Sequence, residues 1–114
     1  MRVLKQIDKP AAITFIPVIS VGRDLDELAK EFKWKVFQDQ DDLGPMRCAY
    51  LETKAGTKFV VFQYAYRSSP KGIVDIAIPS GLDNLQVAIR DIVESLKLGD
   101  DDFAVREVRY EDVA

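Results

Sequence analysis

The chain has 114 residues, enough for one domain, and its 47% hydrophobic and 31% charged residues describe a globular protein rather than a disordered or fibrous one. Its 16 basic and 19 acidic side chains leave a net charge of -3, and histidine is absent. The missing histidine excludes a Ser-His-Asp triad, a Cys-His dyad, a histidine-ligated zinc and a histidine pH switch; the single cysteine, Cys48, excludes an intramolecular disulfide and a cysteine metal cluster.

In chain order, Met1 to Ile7 reads as a first strand. Arg2, Lys5 and Lys9 then precede an uncharged run from Pro10 to Gly22, an arrangement with some likeness to a secretory leader. Asp8 interrupts the basic part, Pro10 and Pro17 interrupt the apolar part, and no small-x-small site follows. The run is also too short for a bilayer core, which takes about 20 residues. Ile13 to Val21 is therefore expected to be a buried strand, with Pro17 marking an edge, a bulge or a break, and the chain to be soluble and cytoplasmic.

A helix is expected from Asp24 to Phe32, because Leu25, Leu28 and Phe32 recur at helical spacing. Asp24 is its N-cap, with Glu27 completing a capping-box-like pair. Trp34 follows, either as a lid on the core edge or as an exposed anchor for a partner. Lys35 to Gln38, Met46 to Lys54, Thr57 to Tyr66 and Ile73 to Ile78 read as strands. The turn Lys54-Ala55-Gly56-Thr57 makes the central pair a hairpin. A second helix is expected from Leu82 to Leu98. Leu82, Leu85, Ile89, Ile92, Val93 and Leu96 form its stripe, Ser80 and Asp83 start it, and Gly99 ends it. Phe103 to Tyr110 reads as a last strand. The middle connections are too short for parallel crossovers. The expected fold is a single α+β domain: a two-layer sandwich with a mainly antiparallel sheet of about five or six strands and two helices on one face.

Candidate chemistry is sparse. Cys48 lies in an alternating strand with no histidine to activate it, so a buried structural thiol is expected. The segment Asp39-Gln40-Asp41-Asp42-Leu43-Gly44 begins like a calcium loop, but Leu43 offers no oxygen and Tyr50 stands where a bidentate glutamate is needed. It is expected to be a solvated loop. Asp100, Asp101 and Asp102 follow a helix C-terminus, where the macrodipole disfavours acids; either they are loose in solvent or they serve a cationic partner or a metal ion. From Pro45 to Gly72 the charge reverses, with five cations against Glu52 and tyrosines and phenylalanines interleaved. There Phe59-Val60-Val61-Phe62, with Gly56 before it, resembles the close of the first ribonucleoprotein motif of RNA-recognition domains, although Thr57 and Lys58 depart from it. The loop Ser68 to Gly72 lacks the spacing of a phosphate-binding loop.

Three function classes remain. The first is a non-catalytic, regulatory or inhibitor-like module of the antitoxin or immunity-protein type. It would meet a basic protein partner through Asp39, Asp41, Asp42, Asp100, Asp101 and Asp102. The second is single-stranded nucleic-acid binding, which requires Tyr64, Tyr66, Arg67 and Lys71 to be exposed and contiguous. The third is a small ligand-binding domain or an enzyme using carboxylates or tyrosine, which requires a deep apolar pocket with converging polar groups. No cofactor, metal or membrane contact is expected, and an edge strand leaves a homo-oligomer open.

Overall fold

A computed structural model describes residues 4–11, 13–41, 44–64 and 73–102, apart from the side chains of residues 4, 41 and 100. Six strands and two helices follow in the order β1 (Leu4–Gln6), β2 (Phe15–Val21), α1 (Leu25–Phe32), β3 (Phe37–Asp41), β4 (Gly44–Thr53), β5 (Lys58–Tyr64), β6 (Val74–Pro79) and α2 (Leu85–Ser95). A short 3-10 turn, Asp100–Asp102, follows α2. The expected strand Phe103 to Tyr110 lies outside the described residues.

Among the described residues all pairings are antiparallel. The path across the sheet is β1-β4-β5-β6-β2, and β3 shares with β1 the outer side of β4: β3 covers Gly44 to Cys48 and β1 covers Leu51 to Thr53. The Gln6 side chain joins these two short strands, because its amide donates to the Lys35 carbonyl and accepts from the Lys35 N–H. Pro17 marks both an edge and a bulge. β2 borders the sheet, and its register with β6 slips between Pro17 and Ile19, so Val18 and Ile19 both enter the core.

Alternation sorts the sheet residues onto two faces. Ala49, Leu51, Phe59, Val61, Val74, Ile76 and Ile78 point to one face and pack in a single cluster with Leu25, Leu28, Ile89, Ile92 and Leu96 of the helical layer. Both helices thus cover the same face, and the two-layer α+β sandwich is the observed architecture. Trp34 belongs to this layer as a lid: it is 9% exposed, and its ring stacks on Phe32 at 5.3 Å.

The helix ends show where local chemistry overrode apolar periodicity. Asp24 caps α1 by accepting from the Asp26 N–H, as expected. The second helix begins three residues later than its stripe suggests, because the Asn84 side chain accepts from the Val87 N–H and sets the first turn there; Leu82 is left outside, 38% exposed. At the other end Lys97, not Gly99, takes the left-handed conformation, with φ 58°. The Lys97 N–H reaches the Glu94 carbonyl and the Leu98 N–H reaches that of Val93, a Schellman closure. Lys33, at φ 64°, ends α1 in the same left-handed conformation. A lysine costs more strain there than glycine, but it sets a cation at the negative end of each helix.

Among the described residues β1 and β2 lie on opposite edges, so the strap between them, described over residues 7–11 and 13–14, must cross the sheet. It crosses the face away from the helices: Ile7 and Phe15, at its two ends, pack on that side. This strap positions the site.

Candidate functional site

The second face carries Met46, Cys48, Tyr50, Val60, Phe62, Tyr64 and Ala77, all buried, although neither helix covers them. Register explains its shape. Tyr50, Val60, Ala77 and Pro17 form one row across four strands, with a large ring at the β4 end and smaller residues beyond it. The next two positions on β5 along this face are Phe62 and Tyr64, whose rings meet edge to face at 5.3 Å. β2 stands three strands from β4, roughly 14 Å by strand spacing. Phe15 nevertheless brings its ring to 5.8 Å from that of Tyr50. Val60 and Ala77 become the floor of a pocket of about 410 Å³, with Phe15, Tyr50, Phe62 and Tyr64 among its lining residues.

Polar groups converge at one side of it. Lys9 from the strap lies 2.9 Å from Asp39 on β3, and the Tyr50 hydroxyl donates to the same carboxylate at 3.0 Å. Asp39 also accepts from the Gln40 N–H. The Lys9 hydrogen bond, aided by those of Gln40 and Tyr50, holds the Asp39 carboxyl below its ordinary range. Burial raises the Tyr50 hydroxyl, and the neighbouring Cys48 and Asp39 raise it further. Cys48 is fully buried, as expected, and burial followed by the Asp39 charge pushes its thiol up to about 11. A thiol so disposed stays protonated at neutral pH and is a poor nucleophile.

Two further hollows are present. A more open cleft of about 450 Å³ along the β3–β4 hairpin shares Asp39, Gln40 and Met46 with the pocket and adds Gln38 and Arg47. Another, of about 320 Å³, lies between the β4–β5 turn and the start of α2, beside the exposed Leu82 and Val87. Neither has an aromatic wall.

Of the six acids singled out in the sequence, the side chains of Asp39, Asp101 and Asp102 are described, and Asp39 lies apart from Asp102. Asp39 and Asp41 belong to β3 rather than to a solvated loop, because the hairpin closes as tightly as an Asp41–Gly44 pair; Asp42 lies outside the described residues. Asp102 sits at the far edge. Its carbonyl accepts from the Gly22 N–H at 2.6 Å, and its carboxylate accepts from the Gly99 N–H at 2.8 Å. Asp102 is thus held by two backbone N–H groups, and it joins the segment after α2 to the residue that follows β2. Asp101 is exposed, and the side chain of Asp100 is not described. The register row through Gln38, Arg47 and Gln63 leads to Val74 and Val21, next to Gly22, so about four strand spacings, roughly 19 Å, separate Asp39 from Asp102.

Of the basic aromatic group, Tyr64 is 8% exposed, because its ring is packed on Phe62 in the second face; Tyr66, Arg67 and Lys71 lie outside the described residues. Arg47 points to the helical side and pairs with Asp26 of α1. The residues that sequence reasoning passed over are Lys9, Phe15 and Tyr50. The period-2 spacing of Phe62 and Tyr64 is visible in the sequence, but their meeting with Phe15 depends on where the strap crosses. Among the described residues, no group of three or more acids and cysteines is placed to hold a metal ion, and no helix is long and apolar enough to cross a membrane.

No protein-family model matches the chain, and no solved structure matches it. Over 92 residues it is 33% identical to the 1-deoxy-D-xylulose-5-phosphate synthase of a Nitratiruptor species, a match that covers 76% of this chain and 15% of that protein. The chain therefore spans less than a sixth of the length of this relative.

Proposed function

We propose that this chain is a non-catalytic ligand-binding module, and that the pocket between the strap and the second face of the sheet is its binding site. The observation that carries this reading is the combination in one pocket of about 410 Å³ of an aromatic lining with three converging polar groups, Lys9, Asp39 and Tyr50. Ligand sites are of this kind: mostly apolar, a few hundred Å³, with a small number of placed polar groups that fix orientation. No activated nucleophile accompanies them, since the Cys48 thiol is held protonated. The relation to the synthase covers too little of that protein to bring its activity to this chain.

Ligand-observed NMR with a set of small organic fragments tests the reading, using the wild-type chain and Ala77→Leu, which fills the floor. Binding by the wild type and its loss in Ala77→Leu, with the fold retained, is the expected result. Absence of any binder, or binding that survives the filled floor, overturns it.

A second reading is a protein partner with a basic surface, met through Asp39, Asp41, Asp42, Asp100, Asp101 and Asp102, of which Asp101 is exposed. Such a partner would be steered by charge, so reversing Asp101 together with Asp100 should slow its association at low salt. Unchanged association would remove that reading.

A further inference from the structure

The chemistry of the pocket favours one class of ligand. An aromatic ring attracts a cation over its face, and four rings, Phe15, Tyr50, Phe62 and Tyr64, line this pocket. Among the described residues lining it, the one carboxylate, Asp39, is held ionised by its hydrogen bonds. The strap already sets an ammonium there, Lys9 Nζ at 2.9 Å, which shows that the position accepts a positive charge. The Lys9 side chain is 61% exposed and that of Asp39 is 21% exposed, so the lysine can swing into water while the carboxylate stays. The Lys9 charge is compensated by Asp39, which weakens it as an anion receptor. A bare ammonium gives up its hydration to enter an apolar pocket, whereas an alkylated one carries its charge beneath apolar surface and loses less.

We propose that this pocket takes a small organic cation of the alkylated ammonium type, with Asp39 as counter-charge, Phe15, Tyr50, Phe62 and Tyr64 as its aromatic surroundings, and Lys9 as an internal competitor that the ligand displaces. This rests on the pocket being a ligand site, and the experiment separates the two claims. Choline chloride and its neutral isostere 3,3-dimethylbutan-1-ol are titrated into the full chain by NMR, in the wild type, Asp39→Asn and Lys9→Gln. Choline should bind about tenfold more tightly than the isostere, the size of one desolvated cation–aromatic and charge contact. Asp39→Asn should abolish that preference. Lys9→Gln should tighten choline binding, an effect opposite in sign to that of simple damage to the fold. If the isostere binds as well as choline, the pocket stands and the cation proposal fails. If neither binds, the cation proposal fails, and the ligand-site reading stands or falls with the fragment screen. If Lys9→Gln weakens choline binding or leaves it unchanged, Lys9 is not a competitor and the proposal is overturned.

Discussion

Along β5, Phe59 and Val61 point into the helical layer, while Val60, Phe62 and Tyr64 point to the opposite face, and all five are buried. Burial is reached differently on the two sides. The helical side is filled by side chains of similar size from two amphipathic helices, and Phe59, Leu51 and Ile76 at its centre are completely enclosed. Under the strap, small residues at the middle of a row and large rings around it leave a hollow. The comparison teaches that the residues of a sheet face can be buried without the space above them being packed solid, and that where packing is incomplete a ligand has room.

Truncations in the two layers sharpen that contrast most strongly. Phe59→Ala should cost about 3–5 kcal/mol in urea unfolding, the range for a fully buried ring. Phe62→Ala borders an existing pocket and should cost about 1–2 kcal/mol less, because fewer contacts are lost around it. Equal losses would mean that the second face is packed as tightly as the first.

Alkaline pH gives a smaller effect, confined to the second face. The Cys48 thiol is raised from 9.0 to about 11 in the folded chain. Between those values the unfolded chain releases this proton and the folded one keeps it, so stability falls as pH rises, by about 1.4 kcal/mol for each pH unit. Cys48→Ala should remove this part of the fall and leave the part due to Tyr50, whose hydroxyl is raised in the same direction. Unfolding curves from pH 8 to 11 measure it, and an unchanged slope in Cys48→Ala would contradict the burial of the thiol.

On the helical side the exposed tie between Arg47 and Asp26 contributes least. Arg47→Ala should cost about 0.5 kcal/mol and less at high salt, as for surface ion pairs. Asp26 is lowered by its hydrogen bond to Arg47 and Asp39 by its hydrogen bond to Lys9. Their contribution to stability is therefore present above the ordinary carboxylate range and lost as pH falls through the lowered values. Acid titration of Arg47→Ala, followed by unfolding, should show a shallower loss than the wild type.

The fold was legible wherever one residue sees its own neighbours. Alternation in Met46 to Lys54 and Thr57 to Tyr66 named the central hairpin, and Leu25, Leu28 and Phe32 named the first helix. Errors arose where two local signals competed. Leu82 fits the apolar stripe of α2, but Asn84 caps it later, and Gly99 looked like the stop although Lys97 takes that conformation. The site was much less legible. Asp39 was recognisable only as one of several acids and Lys9 only as a charge near the N-terminus, because their pairing depends on which face the strap crosses. Tyr50 and Phe15 are 35 positions apart in sequence and meet only through that crossing.

The alternation of β5 and β6 offers the most direct test of the central claim, that the strap-covered face is the binding face. In a methyl-labelled sample titrated with a pocket ligand, Val60 and Ala77, paired on the second face, should shift together with Met46. Val61 and Ile76, the adjacent pair on the helical face, should stay in place. Shifts at Val61 and Ile76 with Val60 and Ala77 unmoved would contradict the account.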